Sequence, residues 1–180
     1  TMTLLQVLWS AMFVHIMPYL ESVGIPQITA AWPVAAITLL SLVGRLGFGW
    51  WGDRIDKRHA LALSAGLASA GLLVLTWVTQ EWQLIFFLII YCPGYGGTMP
   101  LRPAMQREYF GAKAFGAVQG LLMGLTVFAG VLSPLMVGLV RDLTGRYQPA
   151  LVLVALISLL AVPVILTPKP PSEEKARQRS

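Results

Sequence analysis

Apolar residues fill this chain in runs of about 20, separated by short polar breaks, and neither alternate nor recur in narrow stripes. Six runs stand out, at residues 3–20, 27–51, 59–79, 82–106, 112–140 and 148–167. A segment of about 20 mostly apolar residues spans hydrocarbon as a helix, because inside a bilayer every backbone N–H and C=O must be paired within its own segment. The pattern therefore predicts an all-α polytopic membrane protein of six transmembrane helices. The breaks run from Glu21 to Pro26, Gly52 to His59, Gln80 to Glu81, Glu108 to Lys113 and Arg141 to Pro149, and they carry turn residues or charge. Links this short make consecutive helices antiparallel neighbours. Residues 168–180 are Pro-rich and then charged, and read as a disordered cytoplasmic tail. The first run lacks a basic leader, so a cleavable signal peptide is not expected.

Composition agrees with the pattern: 56% of the 180 residues are hydrophobic and 12% charged, against roughly 25% charged in soluble domains. The net charge of +5 does not come with a basic stripe interleaved with exposed aromatics, so no nucleic-acid partner is expected. It reports orientation instead. Of the 13 lysines and arginines, all but Arg141 and Arg146 lie near one set of helix ends. By the positive-inside rule both termini and the second-to-third and fourth-to-fifth links are cytoplasmic. So strong a bias argues against a dual-topology dimer. The expected location is the cell membrane, multi-pass, of the bacterial inner-membrane kind. Cys92 is the one cysteine and lies in an apolar run, which leaves no disulfide and no cysteine metal site.

The second and fifth runs end alike. Gly49 is followed at four residues by Asp53 and at eight by Lys57; Gly138 is followed by Asp142 and Arg146 at the same spacings. The copies sit on the second helix of each three-helix set and on opposite sides of the membrane, as an inverted 3+3 repeat requires. The loop from Gly49 to Arg58, preceded by Gly44 and Arg45, resembles the signature loop of the major facilitator superfamily, with Asp56 in place of its usual glycine. Glu108, Tyr109, Phe110, Gly111, Phe115, Gly116 and Gly120, then Pro134, Gly138, Asp142, Gly145 and Tyr147, are similar to its oxalate/formate and monocarboxylate transporter-like branches. This resemblance implies half of a major-facilitator fold, the C-terminal half, with an N-terminal six-helix half missing from these residues.

Candidate chemistry follows from polar residues inside apolar runs. Gly49, Asp53 and Arg54 form a candidate cytoplasmic gate: small residues permit close helix approach, and Asp53 suits the amide-rich start of the fifth helix. The resemblance implies the same role for Asp53 and Arg54. A plain charged loop is the alternative, and Lys57 and Arg58 are read that way. Arg45 precedes Asp53 by eight residues, about 12 Å along a helix, and shares a face with Thr38 and Ser41. A cation at that depth lines a cavity or pairs, or else snorkels to the interface. Tyr91, Tyr95, Thr98 and Arg102 fall on one face of the fourth helix, whose prolines at 93, 100 and 103 suggest a bent or locally unwound segment. Arg102 itself reads as an interface anchor. Met12, His15 and Tyr19 form a stripe on the first helix, with His15 the group inside a span that titrates near neutral pH. On the fifth helix Gly116, Gly120 and Gly124 read as a packing face, and Gln119, Met123, Thr126 and Ser133 as a polar face beside a cavity. The candidate binding residues are thus His15, Tyr19, Thr38, Ser41, Arg45, Tyr91, Tyr95, Thr98, Gln119 and Met123.

Glu21, Glu81 and Glu108 all lie at span ends, leaving no mid-membrane carboxylate for a proton or sodium ion. No nucleophile with its base, no metalloprotease helix and no phosphate-binding loop is present, so no enzyme and no cofactor or metal is expected. The expected partners are a small-molecule solute, the lipid bilayer and the absent half. The functional expectation is an alternating-access transporter of a small organic solute, an organic anion among the choices. A drug or metabolite efflux carrier is the alternative within that class; a six-helix channel or a membrane-embedded assembly factor lies outside it.

Overall fold

The structure is a computed structural model and describes residues 2–167. The expected tail at 168–180 lies outside the described residues. Within them the chain is helical, with no strand, and six helices are long and apolar enough to cross a membrane. They are α1 (Met2–Ser22), α2 (Gln27–Gly52), α3 (Lys57–Leu75), α4 (Glu81–Gly111), α5 (Lys113–Thr144) and α6 (Gln148–Leu166). Together they form one multi-pass bundle.

Local chemistry explains the turns. Beyond α1, Gly24 takes φ 90°, and the amides of Ile25 and Gly24 donate to the carbonyls of Leu20 and Glu21 at 3.0 Å each. That pair of bonds satisfies carbonyls left over at the helix end, and the left-handed residue in the middle favours glycine. Asp56 starts α3: its side chain accepts from the Arg58 amide at 3.0 Å and from Arg58 Nε at 2.9 Å. The backbone at Asp56 has φ −57°, so the superfamily's glycine is not needed there for conformational freedom. α4 opens with a 3-10 turn, Glu81–Gln83, where Gln83 Oε1 accepts from the amides of Thr79 and Gln80.

Two expectations about α4 and α5 change. The fourth helix stays helical through Pro93, Pro100 and Pro103; its non-helical backbone falls at Gly111 (φ 73°, ψ 166°). The loop expected from Glu108 to Lys113 therefore reduces to a one-residue break. Arg107, Glu108, Tyr109 and Phe110 all continue the helix, and only a glycine takes that φ and ψ readily. On α5 the glycines at 116, 120 and 124 have nothing within 4 Å of the position a Cβ would occupy. That face is open, not packed, because α5 turns its other side to α1.

The helices pack in an arrangement that relates first to second half. α4 lies between α2 and α3. A Cβ on Gly96 or Gly44 would overlap the backbone of Ser41 or Pro93, and one on Gly94 or Gly71 would overlap α3's backbone at Ser64 and Ala68 or α4's at Tyr91. Ser64 Oγ donates to the Gly94 carbonyl at 2.7 Å across that joint. α1 meets α5 through Ser10 Oγ to the Gly130 carbonyl (2.5 Å) and Ser133 Oγ to the Val7 carbonyl (2.6 Å). Pro134 has no N–H for the carbonyl of residue 130; the Ser10 hydroxyl takes that place. First helix on fifth and fourth helix on second is the pairing that an inverted three-helix repeat generates.

Burial is uneven. In their most apolar stretches 56% of the residues of α3 and of α4 are buried, against 24% for α2 and 17% for α5. The two second helices of the repeat thus show most of their surface outside this bundle.

Candidate functional site

A cavity of about 510 Å³ opens where α1, α4 and α5 diverge, at the end of the bundle that holds the start of α1 and the α4–α5 break. Its volume suits a small organic molecule. α1 supplies Gln6, Trp9, Ser10 and Phe13; α4 supplies Tyr95, Met99, Arg102, Pro103 and Gln106; α5 supplies Gln119, Leu122, Met123 and Thr126. The spacing on each helix places these residues on one face, since positions three, four and seven apart coincide.

One wall is aromatic and mutually braced. The rings of Trp9 and Phe13 each meet Tyr95 edge-on at 5.5 Å, and Tyr95 stacks on Tyr91 (5.8 Å), which stacks on Phe87 (5.1 Å). Edge-to-face and offset pairs at these separations are favourable beyond simple burial. The Arg102 guanidinium carbon lies 4.7 Å from the centre of the Trp9 ring, a cation–π distance. Among the polar atoms of the lining, Trp9 Nε1, Gln106 Oε1 and Gln119 Oε1 are buried without a hydrogen-bond partner among the described residues. Trp9 and Gln106 are each only 6% exposed.

Of the candidates read from the sequence, Tyr95, Gln119 and Met123 line this cavity. The others lie elsewhere. Tyr91 is fully buried beneath Tyr95, and its hydroxyl has no hydrogen-bond partner among the described residues. Thr98 is buried and donates to the Tyr95 carbonyl at 2.7 Å; Ser41 is buried and donates to the Thr38 carbonyl at 2.8 Å; Thr38 is exposed and bonds within its own helix. Tyr19 is buried, and its hydroxyl donates to the Val78 carbonyl at 3.3 Å. His15 Nε2 lies 3.0 Å from the Pro134 carbonyl oxygen, its ring 5.8 Å from that of Tyr147. Of these, Tyr19 ties α1 to the α3–α4 link and His15 ties α1 to α5, whereas Thr98, Ser41 and Thr38 bond within their own helices. Arg45 is exposed outside the cavity lining, within electrostatic reach of Tyr95.

At the α2–α3 turn, Arg54 folds back over the Trp50 ring at 3.7 Å, and Asp53 and Arg54 are exposed, with Gly49 partly so. The Asp53 carboxylate makes no hydrogen bond or ion pair with the described residues. Lys57, read as orientation charge, instead pairs with Glu108 at 3.1 Å and joins the start of α3 to the end of α4. Being half exposed, such a pair is worth about 0–1 kcal/mol. Asp56 is held below the usual carboxylate range, chiefly by its hydrogen bonds from the Arg58 side chain.

Sequence reasoning missed Gln6, Trp9, Ser10 and Phe13, passed over Gln106, and assigned Arg102 to the interface. Two signals were available: the polar pair Arg102 and Gln106 at a spacing of four, and the alternation of Gln6, Trp9, Ser10 and Phe13 around one face of α1.

Six apolar helices in an inverted arrangement with a cavity between them agree with the comparison to known proteins. The family model described as Major Facilitator Superfamily matches residues 1–180. The chain belongs to the major facilitator superfamily. This superfamily comprises transporters, not enzymes. Among curated relatives, the chain is similar to "Monocarboxylate transporter 12" of Xenopus laevis, 28% identical over 78% of this chain and 32% of that protein. It is also similar to "Monocarboxylate transporter 13" of Rattus norvegicus, 25% identical over 86% of this chain and 37% of that protein. The chain spans about a third of the length of the curated relatives it matches. Within the superfamily these matches favour the monocarboxylate transporter-like branch.

Proposed function

We propose that this chain is the C-terminal six-helix half of a carrier that moves a small organic anion by alternating access, and that the α1–α4–α5 cavity is its share of the solute site. The observation that carries the reading is Arg102: a guanidinium placed in the wall of a cavity inside a membrane bundle, where a cation is costly and marks a solute or ion path. The names of the relatives support an organic acid as cargo. The drug-efflux alternative lacks a reason for that guanidinium. The sparse burial of α2 and α5 and the open glycine face at 116, 120 and 124 support a second bundle docked there. The excess of lysine and arginine at one set of ends supports cytoplasmic termini. Gly49, Asp53 and Arg54 act as the cytoplasmic gate; with the Asp53 carboxylate unpaired, the clasp to the start of α5 closes in another state of the cycle.

The test is reconstitution in proteoliposomes. The chain together with a matching six-helix half is expected to give saturable uptake of a labelled organic acid, and neither half alone does so. Conductance that does not saturate marks a channel and refutes the reading. In the same assay Asp53→Asn is expected to slow exchange several-fold with normal insertion; unchanged exchange removes the gate.

A further inference from the structure

Net transport by alternating access takes two reorientations per cycle, one with the cavity loaded and one with it empty. The empty one is the harder for this cavity. With an anion bound, the Arg102 guanidinium meets an opposite charge; without one, a cation passes through a closed form of the cavity inside the membrane, where its desolvation is costly. None of the described residues that line the cavity is acidic, so no lining carboxylate takes the anion's place. An aromatic face stands there instead. The guanidinium carbon of Arg102 lies 4.7 Å from the centre of the Trp9 ring, and the attraction of a cation to a ring face is stronger when both are desolvated. The ring's N–H does not explain its placement. The indole is 6% exposed and meets Tyr95 edge-on at 5.5 Å, yet its Nε1 is buried without a hydrogen-bond partner among the described residues. A buried donor left so is unfavourable; what the orientation secures is the ring face against Arg102. The contact also joins α1 to α4, two of the three cavity walls.

We propose that Trp9 is a positioning residue that stands in for the anion: its indole face compensates the Arg102 guanidinium while the empty carrier reorients, and so permits net transport as well as exchange of one anion for another. Solute binding draws the guanidinium from the ring face to the anionic oxygens. This rests on the carrier reading above and adds what sets the carrier's mode of transport.

Exchange and net uptake separate the two reorientations, because exchange needs only the loaded one. The probes are labelled 2-oxopropanoate and 2-oxo-2-phenylacetate, a slim and a ring-bearing anion of acids strong enough to leak little through bare lipid. In proteoliposomes containing the complete carrier, with the membrane potential held at zero by potassium and valinomycin, each is followed into vesicles that contain either the same unlabelled acid or none. Wild type is expected to carry out both exchange and net uptake. Trp9→Leu should lower both rates, and net uptake at least about tenfold more than exchange, the loss expected of a desolvated cation–π contact. Trp9→Phe, which keeps a ring face, should close part of that gap. A merely structural role would lower both rates by one factor. If Trp9→Leu fails to insert, tryptophans of increasing fluorine content, placed at position 9 by nonsense suppression, read the same contact at nearly constant shape. The ratio of net uptake to exchange should then fall as fluorine drains the ring face of negative charge. Wild type that exchanges but gives no net uptake, equal loss of both rates in Trp9→Leu, or a ratio indifferent to ring fluorination would overturn the inference and leave the carrier reading standing. Saturable transport of neither probe removes the carrier reading, and this inference with it.

Discussion

The two joints related by the inverted repeat, α4 on α2 and α1 on α5, are built from different chemistry. The first is steric. At Gly96 and Gly44 the backbones of α4 and α2 approach so closely that no side chain fits, and Phe48 packs over Gly97. The second is polar. Ser10, Ser133 and His15 reach across to backbone carbonyls, and a Cβ on Gly130 would meet the side chains of Gln6 and Ser10 at ordinary contact distances of 3.6 Å and beyond. Small residues give van der Waals contact and hydroxyls give hydrogen bonds, and both join helices in lipid. What the difference teaches is where space can open. A joint that interdigitates along its whole length leaves none, whereas one pinned at separate hydrogen bonds leaves room between the pins. The cavity lies along α1 and α5, with Ser10 on its wall.

The comparison can be broken most severely at Gly96. Gly96→Val forces α4 away from Ser41 and should cost about 3 kcal/mol, the upper range for overpacking, read as a large fall in the thermal midpoint in detergent. Gly124→Val, on the open face of α5, should leave the isolated half's midpoint unchanged. If both behave alike, the steric character of the first joint is disproved.

A smaller effect is expected where the repeat's third helices begin. α3 is capped by the Asp56 side chain, whereas its counterpart α6 has no side-chain cap and starts with Pro149 in its first turn. Asp56→Ala should destabilise by about 1 kcal/mol, the usual worth of an N-cap. The Asp56 carboxyl is depressed in the folded chain, chiefly by hydrogen bonds from Arg58. Its contribution is therefore complete above the ordinary carboxylate range near about 4 and disappears as pH falls through the depressed value. Wild type and Asp56→Ala should converge in stability in acid; a gap that persists there contradicts the assignment.

The smallest change is at the polar joint. Ser10→Ala leaves the Gly130 carbonyl without its donor and should cost about 0.6 kcal/mol, typical of hydrogen bonds between membrane helices. Because Ser10 also lines the cavity, its effect on KM should exceed its effect on the thermal midpoint. A fall in midpoint as large as that of Gly96→Val would mean the two joints are not different in kind.

Much of the bundle was legible because hydrocarbon thickness and backbone pairing act on every span alike. The second helix was placed within one residue at its end, Gly52 against 51, since a charged turn follows at once. The end of α4 was not, because nothing in Arg107 to Phe110 shows that a single glycine can reverse the chain when Lys57 meets Glu108 from the neighbouring helix. The site was legible one face at a time. Tyr95, Gln119 and Met123 could be read from spacing, which says that residues share a face but not which helix that face meets. The same ambiguity made Gly116, Gly120 and Gly124 look packed, and made Arg102 look like an anchor when it lies under an indole ring. Tyr91 and Thr98 share the right stripe but are buried in the packing and do not line the cavity.

Gly111 joins two of the three cavity walls without any slack. α4 ends at it and α5 begins two residues later, so the angle between these rods is fixed by one pair of dihedrals. Thr126 lies fifteen residues beyond it, about 22 Å along a straight helix. A swing of roughly 10° at this elbow would carry Thr126 through about 4 Å on the same helical rise, more than the width of a water molecule. The aperture of the cavity and the posture of the α4–α5 corner are therefore one mechanical coordinate.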